Sequence, residues 1–526
     1  MAKRTDIEYP IAGQNRREDY PQKGGGPYTT PYSRNVRSFD ALERRGRGGT
    51  RPGLSKFNTT DLGTTITGAH KLSYVDGSGD QQTALVVLVD GAIKIVTSTT
   101  VTTVTSYLLT EAGDYITTEA GERIYSTNTI SATSPLGDTD RFSMTEHGGK
   151  IYIADSECKR YNPNTGTVEV VENAPTGQGL VAVYQERLVL SGEDHMWYMS
   201  RQGDFEDWNF GDNYKKIGRA VAGTTGDGGE IGLPITALKA FEDKALLIAT
   251  ADDLWIMQGN INAGGRIDCV SHDLGVIQFN AIDITDGGLV VFLSRQGLYT
   301  WQIGGNTPPQ PFSERVEPEE LRDIATTNDI MIRYDKKENG FYLFITPSTG
   351  TGEHWFLDME TKAFWRSIYQ EAHQPFAIAK MPIAGDSCVM LCGTDGIVRV
   401  HDHDATDDDG TDIVSDIIIG ALQPAGYGEE GQILEIIGDM AAGSADVTWY
   451  IVPGDTAEEA IDNAVTDLEA GTTTRVHSTG TFEAGHNRPR NPRTRSAWVA
   501  LWLSSTGIWA YGKISLTVDR VGMLRA

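Results

Sequence analysis

The sequence predicts an all-β protein: a β-propeller of about seven blades, with six to eight possible, plus a smaller β-rich platform domain. Two observations carry this prediction. Glycine accounts for 59 of the 526 residues, and short apolar runs alternate with turns of Gly, Asp and Asn, a pattern typical of short strands. In addition, one unit recurs along the chain, consisting of an apolar run, a turn and a second run that often carries an aromatic residue.

Seven such units are present, and their spacing indicates blades. Their first runs begin at Thr83, Gly149, Glu186, Lys244, Gly288, Gly340 and Ser387. Successive starts lie 37 to 66 residues apart, and a four-stranded blade needs roughly 40–50 residues. The apolar run fits the blade strand that is covered on both faces, and the aromatic run fits the next strand outward. β-Hairpins in two stacked sandwiches are the alternative, and the number of units at blade-like spacing favours the propeller.

Changes in composition divide the chain into three parts. Residues 1–56 are rich in Gly, Pro, Arg and Tyr and cannot bury a core alone. We predict that they form an extended arm that belongs to the platform. Residues 57–415 then form the propeller, and residues 416–526 the C-terminal β-rich platform domain, with one short helix near Thr456–Leu468.

The net charge of −27 is unevenly distributed. Residues 1–60 hold 12 Lys and Arg against 6 Asp and Glu, and residues 475–526 hold 8 against 2. The remaining residues, 61–474, therefore carry a net charge of −39, and we call them the acidic body. An acidic body argues against a groove for duplex DNA, because it repels phosphate. The negative charge of the acidic body has two explanations: it keeps the protein soluble, or it forms a surface that does not bind DNA and lets it slide past.

Motifs that would indicate an enzyme, a cofactor or a membrane span are absent from the sequence. It contains no P-loop, G-x-S-x-G, H-E-x-x-H or paired C-x-x-C pattern, and no sialidase Asp-box. No apolar stretch approaches the 18 residues of a transmembrane helix, and the N-terminus lacks the apolar core of a secretory signal. We therefore predict no catalytic activity, no cofactor and no membrane-spanning segment.

Two segments contain residues that could bind a metal ion. Cys388 and Cys392, spaced by four on an apolar strand, face one side; a core position is favoured over a metal pair, since no second Cys or His pair has suitable spacing. The acidic stretch Asp402–Asp412 suggests Ca²⁺, but it departs from the EF-loop motif at Ala405 and Asp416. A solvated acidic turn is favoured there, and we predict no metal site.

Two arginine-rich segments, Arg44–Pro52 and Arg488–Arg495, contain the candidate binding residues. Pro489 and Pro492 exclude a helix around the second segment and hold its arginines on an extended track. Such a track could bind acidic groups of a neighbouring subunit or DNA phosphates. The acidic body favours contact between subunits. The predicted contact residues are Arg44, Arg45, Arg47, Arg51, Arg488, Arg490, Arg493 and Arg495.

Several segments, taken in order, resemble a family of virion proteins. They are Asn35–Arg37 with Arg44–Leu54, Glu186–Gly192 with Tyr198–Trp208, Leu293–Tyr299, and the ending Arg493–Ala526. This pattern resembles the propeller tail hubs and nozzles of short-tailed bacteriophages, also called tail tubular protein B. The resemblance covers most of the chain, and each motif alone is weak.

The resemblance implies a structural protein of the virion tail, assembled in the host cytoplasm. It implies a homohexameric tube that contacts tail adaptor and portal-side ring proteins, carries tail fibres or spikes, and retains and ejects viral DNA without sequence-specific binding. Arg44–Pro52 and Arg488–Arg495 match platform segments, which the resemblance assigns to subunit contact. No position matches a channel-gate motif.

Two other functions remain as alternatives. A receptor-binding tail protein or tail depolymerase acting on host surface glycan would usually show long parallel β-helix repeats, whereas these repeats have the length of blades. A cellular seven-bladed scaffold would show W-D or kelch signatures, which are missing.

Overall fold

The structure of the chain is a computed structural model whose regular secondary structure is almost entirely β-strand. It describes residues 2–15, 29–89, 91–97, 101–103, 106–107, 125–126, 142–154, 157–177, 179–192, 195–211, 216–224, 229–312, 319–322, 324, 327–383, 385–426 and 429–523. Five short strands come first: β1 (Lys3–Ile7), β2 (Tyr32–Arg34), β3 (Val36–Arg37), β4 (Gly49–Thr50) and β5 (Gly53–Lys56).

The next part of the chain forms antiparallel sheets of four strands, which we call blades. Blade 1 contains β6 (Ile66–Val75), β7 (Gln81–Val89), β8 (Ala92–Val96) and β9 (Val101–Thr103). The strands β10 (Ser106–Tyr107) and β11 (Tyr125–Ser126) then pair with each other. Blade 2 contains β12 (Ser143–His147), β13 (Lys150–Ala154), β14 (Cys158–Asn162) and β15 (Thr167–Val170). Blade 3 contains β16 (Val181–Tyr184), β17 (Arg187–Ser191), β18 (Trp197–Met199) and β19 (Val221–Ala222).

Four further blades follow. Blade 4 contains β20 (Ile235–Phe241), β21 (Ala245–Thr250), β22 (Leu254–Gln258) and β23 (Arg266–Ser271). Blade 5 contains β24 (Ile282–Ile284), β25 (Leu289–Ser294), β26 (Gly297–Gln302) and β27 (Gln310–Pro311). Blade 6 contains β28 (Asp329–Asp335), β29 (Gly340–Thr346), β30 (His354–Asp358) and β31 (Phe364–Ser367). Blade 7 contains β32 (Pro375–Ile383), β33 (Asp386–Gly393) and β34 (Val398–Asp402).

The blades close into a ring, which confirms the predicted β-propeller. The first strand of each blade contacts the first strand of the next, and β32 of blade 7 contacts β6 of blade 1. The seven predicted apolar runs are the second strands of the seven blades. These strands are buried along most of their length, because each lies between its sheet neighbours and is covered by the adjacent blades.

The N-terminal arm completes the ring. Strand β5 pairs antiparallel with β34 and supplies the fourth strand of blade 7, with Gly53 opposite Asp402 and Lys56 opposite Arg399. The predicted platform arm ends at residue 56, but the last four residues of this arm, Gly53–Lys56, belong to the propeller. The pairing joins segments nearly 350 residues apart, and it leaves no blade with only three strands.

The remaining strands form two five-stranded sheets, which with β3 and β4 we call the platform. Its C-terminal strands are β35 (Ser415–Leu422), β36 (Glu429–Met440), β37 (Val447–Gly454), β38 (Ser478–Phe482), β39 (Gly485–His486), β40 (Thr494–Ser496), β41 (Trp498–Ser505) and β42 (Tyr511–Met523). One sheet has the order β1-β42-β36-β39, with β40 also paired to β36. The other has the order β2-β35-β41-β37-β38. Both ends of the chain therefore contribute to each sheet.

The platform and blade 6 share one hydrophobic core. It contains Ile436 from the first platform sheet, Trp449 and Leu503 from the second, and Tyr342 and Trp365 from blade 6. The arm lies across blade 6, where the Ser38 hydroxyl donates to Asp358 and accepts from the Trp365 indole, each at 2.8 Å. Burial of these large aromatic side chains holds the two units together.

Among the described residues one segment is α-helical, α1 (Ala457–Ala470), and it covers the outer face of the second platform sheet. The Thr456 side chain accepts a hydrogen bond from Glu459 N at 3.1 Å and caps the first turn. Gly471 ends the helix with φ of 62°, a left-handed conformation that suits glycine. Three further short segments are 3₁₀ helices: Ile261–Ala263, Glu319–Leu321 and Glu371–His373. No helix among the described residues is long and apolar enough to cross a membrane.

Candidate functional site: the arginine-bearing edge of the platform

The second arginine-rich segment forms an interrupted strand along β36. Gly485 and His486 pair with the end of β36, and Thr494–Ser496 pair with its beginning. Between them, Arg490 and Ile436 exchange two backbone hydrogen bonds of 2.9 and 2.8 Å. The segment is extended as the two prolines predict, because Pro489 and Pro492 have no N–H to donate.

The arginines of this segment point into solvent, and we call them the cationic edge. Arg488, Arg490, Arg493 and Arg495 are all exposed. The Arg495 guanidinium donates to Glu430 Oε2 at 2.6 Å. Within the described part of the chain, the other three guanidinium groups have no ion-pair partner. Three cations are thus held on a strand-like segment with their donors available to another molecule.

The first arginine-rich segment is a compact turn organised by a buried carboxylate. Asp40 accepts hydrogen bonds from Glu43 N at 2.7 Å, Arg45 N at 3.1 Å and Arg47 Nε at 3.0 Å. Arg47 also donates to Glu43 at 2.9 Å. Arg47 is therefore held within the chain, whereas Arg44 and Arg45 are exposed.

Glycine makes this turn possible where it meets the platform. Gly48 has φ of 79°, and a Cβ atom there would lie 2.1 Å from the Tyr9 ring. Its carbonyl accepts from Tyr511 N at 2.9 Å. The turn is thus fixed against the first residue of β42, and Arg44 and Arg45 project from a defined position.

Arg51 requires a correction, because it is not on the surface. Its side chain is fully buried and forms an ion pair with Asp408. It also donates to Asn35 Oδ1 at 3.0 Å and lies over the Tyr369 ring at 4.4 Å. Burial alone would lower the pKa of Arg51, but Asp408 raises it above its usual value. Arg51 stabilises the junction of arm and propeller and has no donor left for another subunit.

The structure brings the four C-terminal arginines into one line. Among the described residues, no hydrogen bond or ion pair connects that line with Arg44, Arg45 or Arg47. The cationic positions are visible in the local sequence pattern alone. The acidic residues that neutralise some of them, Asp40, Asp408 and Glu430, were not predicted, because two of these are remote in sequence from their partners.

An acidic helix face is a second charged feature of the platform, and the sequence analysis missed it. Helix α1 buries Ala460, Ile461 and Ala464 against the second sheet. Its opposite face exposes Glu458 and Asp462, with Asp455, Glu459 and Glu469 at its ends. The 3.6-residue period of the apolar positions was the signal that could have shown this face.

In the acidic stretch Asp402–Asp412, three carboxylates bind arginine side chains or a backbone N–H of the chain itself. Asp408 binds Arg51, and Asp409 accepts from Arg399 Nε at 2.9 Å. Asp407 accepts from Gly410 N at 2.8 Å. No group of three or more His, Cys, Asp or Glu in the described ranges is arranged to hold a metal ion. The stretch fastens the arm to blade 7.

Cys388 and Cys392 lie in the core, as their spacing indicates. They are 8% and 0% exposed on β33, and both are free thiols. Cys269 is near His272, with Sγ 3.3 Å from Nδ1, but that nitrogen also faces Asp253 at 3.4 Å. Burial and Asp253 raise the pKa of Cys269. A relay needs the two ring nitrogens to face different partners, so this arrangement does not activate the thiol.

Comparison with known proteins assigns no family. No family model and no curated protein matches the chain. The extracellular domain of a one-component system from B. thetaiotaomicron is similar at 12% identity and a TM-score of 0.41, over 77% of this chain and 45% of that one. The chain thus spans less than half the length of that domain.

Two other solved structures have lower scores. The designed protein Ika8 is 15% identical at a TM-score of 0.36, over 65% of this chain and 98% of that one. The N-terminal domain of Nup159 is 10% identical at 0.37, over 66% of this chain and 95% of that one.

Proposed function

We propose that the chain is a structural subunit of a bacteriophage tail hub or nozzle. In this proposal, six copies form a ring or tube in the virion tail, assembled in the host cytoplasm, which retains viral DNA and passes it during ejection. The resemblance of the segments described above to propeller tail hubs suggests this role. The charge of the platform supports it.

One observation carries the proposal: the platform exposes two oppositely charged surfaces on different elements. The cationic edge lies on the first sheet, and the acidic face of α1 lies outside the second sheet. A head-to-tail contact between such surfaces on neighbouring copies uses each surface once per copy. Contacts of this type generate closed rings when the rotation between copies is suitable.

The identities of the contacting groups explain why arginine suits this interface. A guanidinium group can bind a carboxylate through two parallel hydrogen bonds, and these fix orientation as well as attraction. Arg488, Arg490 and Arg493 have such donors available, while Glu458 and Asp462, one helical turn apart, offer exposed carboxylates. We propose that these groups pair between neighbouring subunits.

The overall charge fits the proposed passage of DNA. Residues 61–474 carry −39, and an acidic wall repels phosphates within a screening length of ~10 Å. Strands of DNA would then stay mobile in the tube rather than bind to it. The proposed partners outside the ring are tail adaptor or portal-side proteins and tail fibres or spikes.

The test is the mass of the purified chain by light scattering, at low and high concentration, together with negative-stain images. We expect a six-fold ring with a central hole, which dissociates as salt is raised. Reversal of the cationic edge in the variant Arg488→Glu, Arg490→Glu, Arg493→Glu should give monomers that remain folded, with the β-sheet circular dichroism of the wild-type chain. The matched control reverses three exposed propeller cations, Lys244→Glu, Arg266→Glu and Lys336→Glu, and should still form rings.

A second arm tests the pairing itself. The variant Glu458→Arg, Asp462→Arg should also be monomeric. Mixing it with the edge-reversed variant should restore two contacts, because the reversed edge meets the reversed helix face and the unchanged edge meets the unchanged helix face. Rings in which the two variants alternate are therefore expected. A wild-type chain that stays monomeric and cleaves host polysaccharide would overturn the proposal and support the depolymerase alternative.

A further inference from the structure

The centre of the propeller is a cavity of about 750 Å³ lined by the first strands of all seven blades. Cavities of this size accommodate small ligands. Four charged residues from four successive blades meet there: Lys239 of blade 4, Asp283 of blade 5, Arg333 of blade 6 and Lys380 of blade 7. We call them the channel cluster.

Asp283 is the centre of the channel cluster and is almost completely buried. Its Oδ1 lies 2.9 Å from Lys239 Nζ, and its Oδ2 lies 2.6 Å from Lys380 Nζ. Oδ2 also accepts from Tyr334 N at 2.8 Å. The lysines, rather than burial, decide its ionisation: burial would raise the pKa of Asp283, but Lys239 and Lys380 lower it far below its usual value.

The cluster holds more positive than negative charge. The Arg333 guanidinium donates to two neutral groups of the described residues, the Ile332 carbonyl at 2.8 Å and Asn280 Oδ1 at 2.9 Å. Three cations therefore share one carboxylate, and burial together with Arg333 and Lys380 lowers the pKa of Lys239 to about 8. The side chains of Lys239 and Lys380 are 29% and 33% exposed, so both ammonium groups remain accessible.

Acidic residues elsewhere in the cavity do not offset this excess, because they have cations of their own. Asp286 pairs with Lys336 at 2.8 Å and Glu242 with Lys244 at 2.6 Å. On blade 1, burial, together with Arg333 and Lys239, lowers the pKa of His70 to about 4, so the ring is neutral at pH 7 and adds no charge to the cavity.

We propose that the propeller channel binds a small multivalent oxyanion of the phosphate class between Lys239, Lys380 and Arg333. Each lysine ammonium uses one of its three N–H donors for Asp283 and keeps the others for a ligand. A dianion would balance the two surplus positive charges of the channel cluster. This inference concerns a single propeller and does not depend on the proposed ring.

The experiment measures binding of inorganic phosphate and pyrophosphate to the full chain at pH 7 by calorimetry, and the thermal midpoint with phosphate against chloride of equal ionic strength. We expect heat of binding and a higher midpoint in phosphate. Lys239→Gln and Lys380→Gln should each weaken binding about tenfold, since each removes a charged hydrogen-bond donor. Arg266→Gln is the matched control: an exposed cation on the outer strand of blade 4, whose loss should change nothing.

Asp283→Asn separates a binding site from a merely structural cluster. Asparagine retains an acceptor for Tyr334 N, but it leaves three uncompensated cations. Without phosphate the variant should be less stable than wild type, and with phosphate its midpoint should rise more than that of wild type, with about tenfold tighter binding. A 5′-phosphorylated oligonucleotide that binds no tighter than phosphate supports a site for the phosphate group. Binding of the oligonucleotide alone, or no tighter binding by Asp283→Asn, would overturn the proposal.

Discussion

Arg51 and Asp408 form a buried ion pair, with Nη1 2.9 Å from Oδ1, between residues 357 positions apart in the sequence. Arg51 belongs to the arm that leads from the platform into the propeller, and Asp408 follows the last blade. The pair lies beside the β5–β34 pairing that completes blade 7. It therefore holds the start and the end of the propeller together.

Loss of this pair should destabilise the whole protein. We expect Arg51→Met to lower the free energy of unfolding by about 3–5 kcal/mol, because it leaves the buried Asp408 carboxylate without its cation. Arg45→Met, at an exposed arginine of the same arm, should change it by less than about 1 kcal/mol. Urea unfolding of the two variants measures the difference, and equal effects would contradict the role given to Arg51.

Stability should fall as the pH is lowered from 7 to 5. Burial lowers the pKa of His70 to about 4 and of His354 to about 3, and that of His401 lies well below its usual value. An unfolded chain protonates these groups near pH 6.5, so acid favours unfolding. Asp335 acts in the opposite direction, because burial raises its pKa to about 6. For these four groups the balance is an uptake of about two protons on unfolding near pH 5, and His373, whose pKa burial also lowers, adds to this uptake.

Urea unfolding at pH 7, 6 and 5 gives the slope of stability against pH. His354→Phe should flatten this slope by about one proton, although its stability at pH 7 also falls because Ile345 N loses the acceptor it has at 3.1 Å. A slope that His354→Phe does not change would show that this ring is protonated in the folded state.

The four thiols should differ in their reactivity. Cys158 and Cys392 are completely buried, and burial raises the pKa of Cys158 to about 12. Cys388 is 8% exposed, and only Cys269 is partly accessible. We expect one equivalent to react with an aromatic disulfide reagent at pH 8 in the native state, and four in denaturant. In Cys269→Ser the native equivalent should disappear; if it remains, another thiol is exposed.

Asp467 should be important for attaching the end of helix α1 to the platform. This buried carboxylate accepts from Arg475 N at 2.6 Å and from Thr472 Oγ1 at 3.0 Å. Burial would raise the pKa of Asp467, but these hydrogen bonds and the Arg475 side chain lower it. Asp467→Ala should cost about 2 kcal/mol of stability, because buried donors lose their acceptor. Thr466→Ala, at an exposed position of the same helix, is the control, and thermal unfolding compares the two.

The repeated apolar runs allowed the propeller to be predicted from the sequence. A second strand such as Ala245–Thr250 is covered on both faces, and this leaves a continuous apolar run that is visible without knowledge of its partners. Strand β1 has no such pattern: four of its five residues are exposed, and only its pairing with β42 makes it a strand. Pairings between distant segments, such as β5 with β34, leave no local signal.

The charged sites were predictable only in part, for a related reason. Arg45 and Arg51 occur in the same arginine-rich segment, and nothing nearby in the sequence distinguishes them. Arg51 is buried and Arg45 is exposed, because Arg51 forms an ion pair with Asp408, which lies far along the chain. The channel cluster shows the same limit, since Lys239 and Lys380 meet only after the ring has closed around Asp283.

The pairing of β1 with β42 has a consequence for synthesis on the ribosome. During translation β1 is made before its partner and stays unpaired until β42 has been made. Strand β5 likewise has no partner until β34 has been made. A product that stops before β42 therefore has no complete platform.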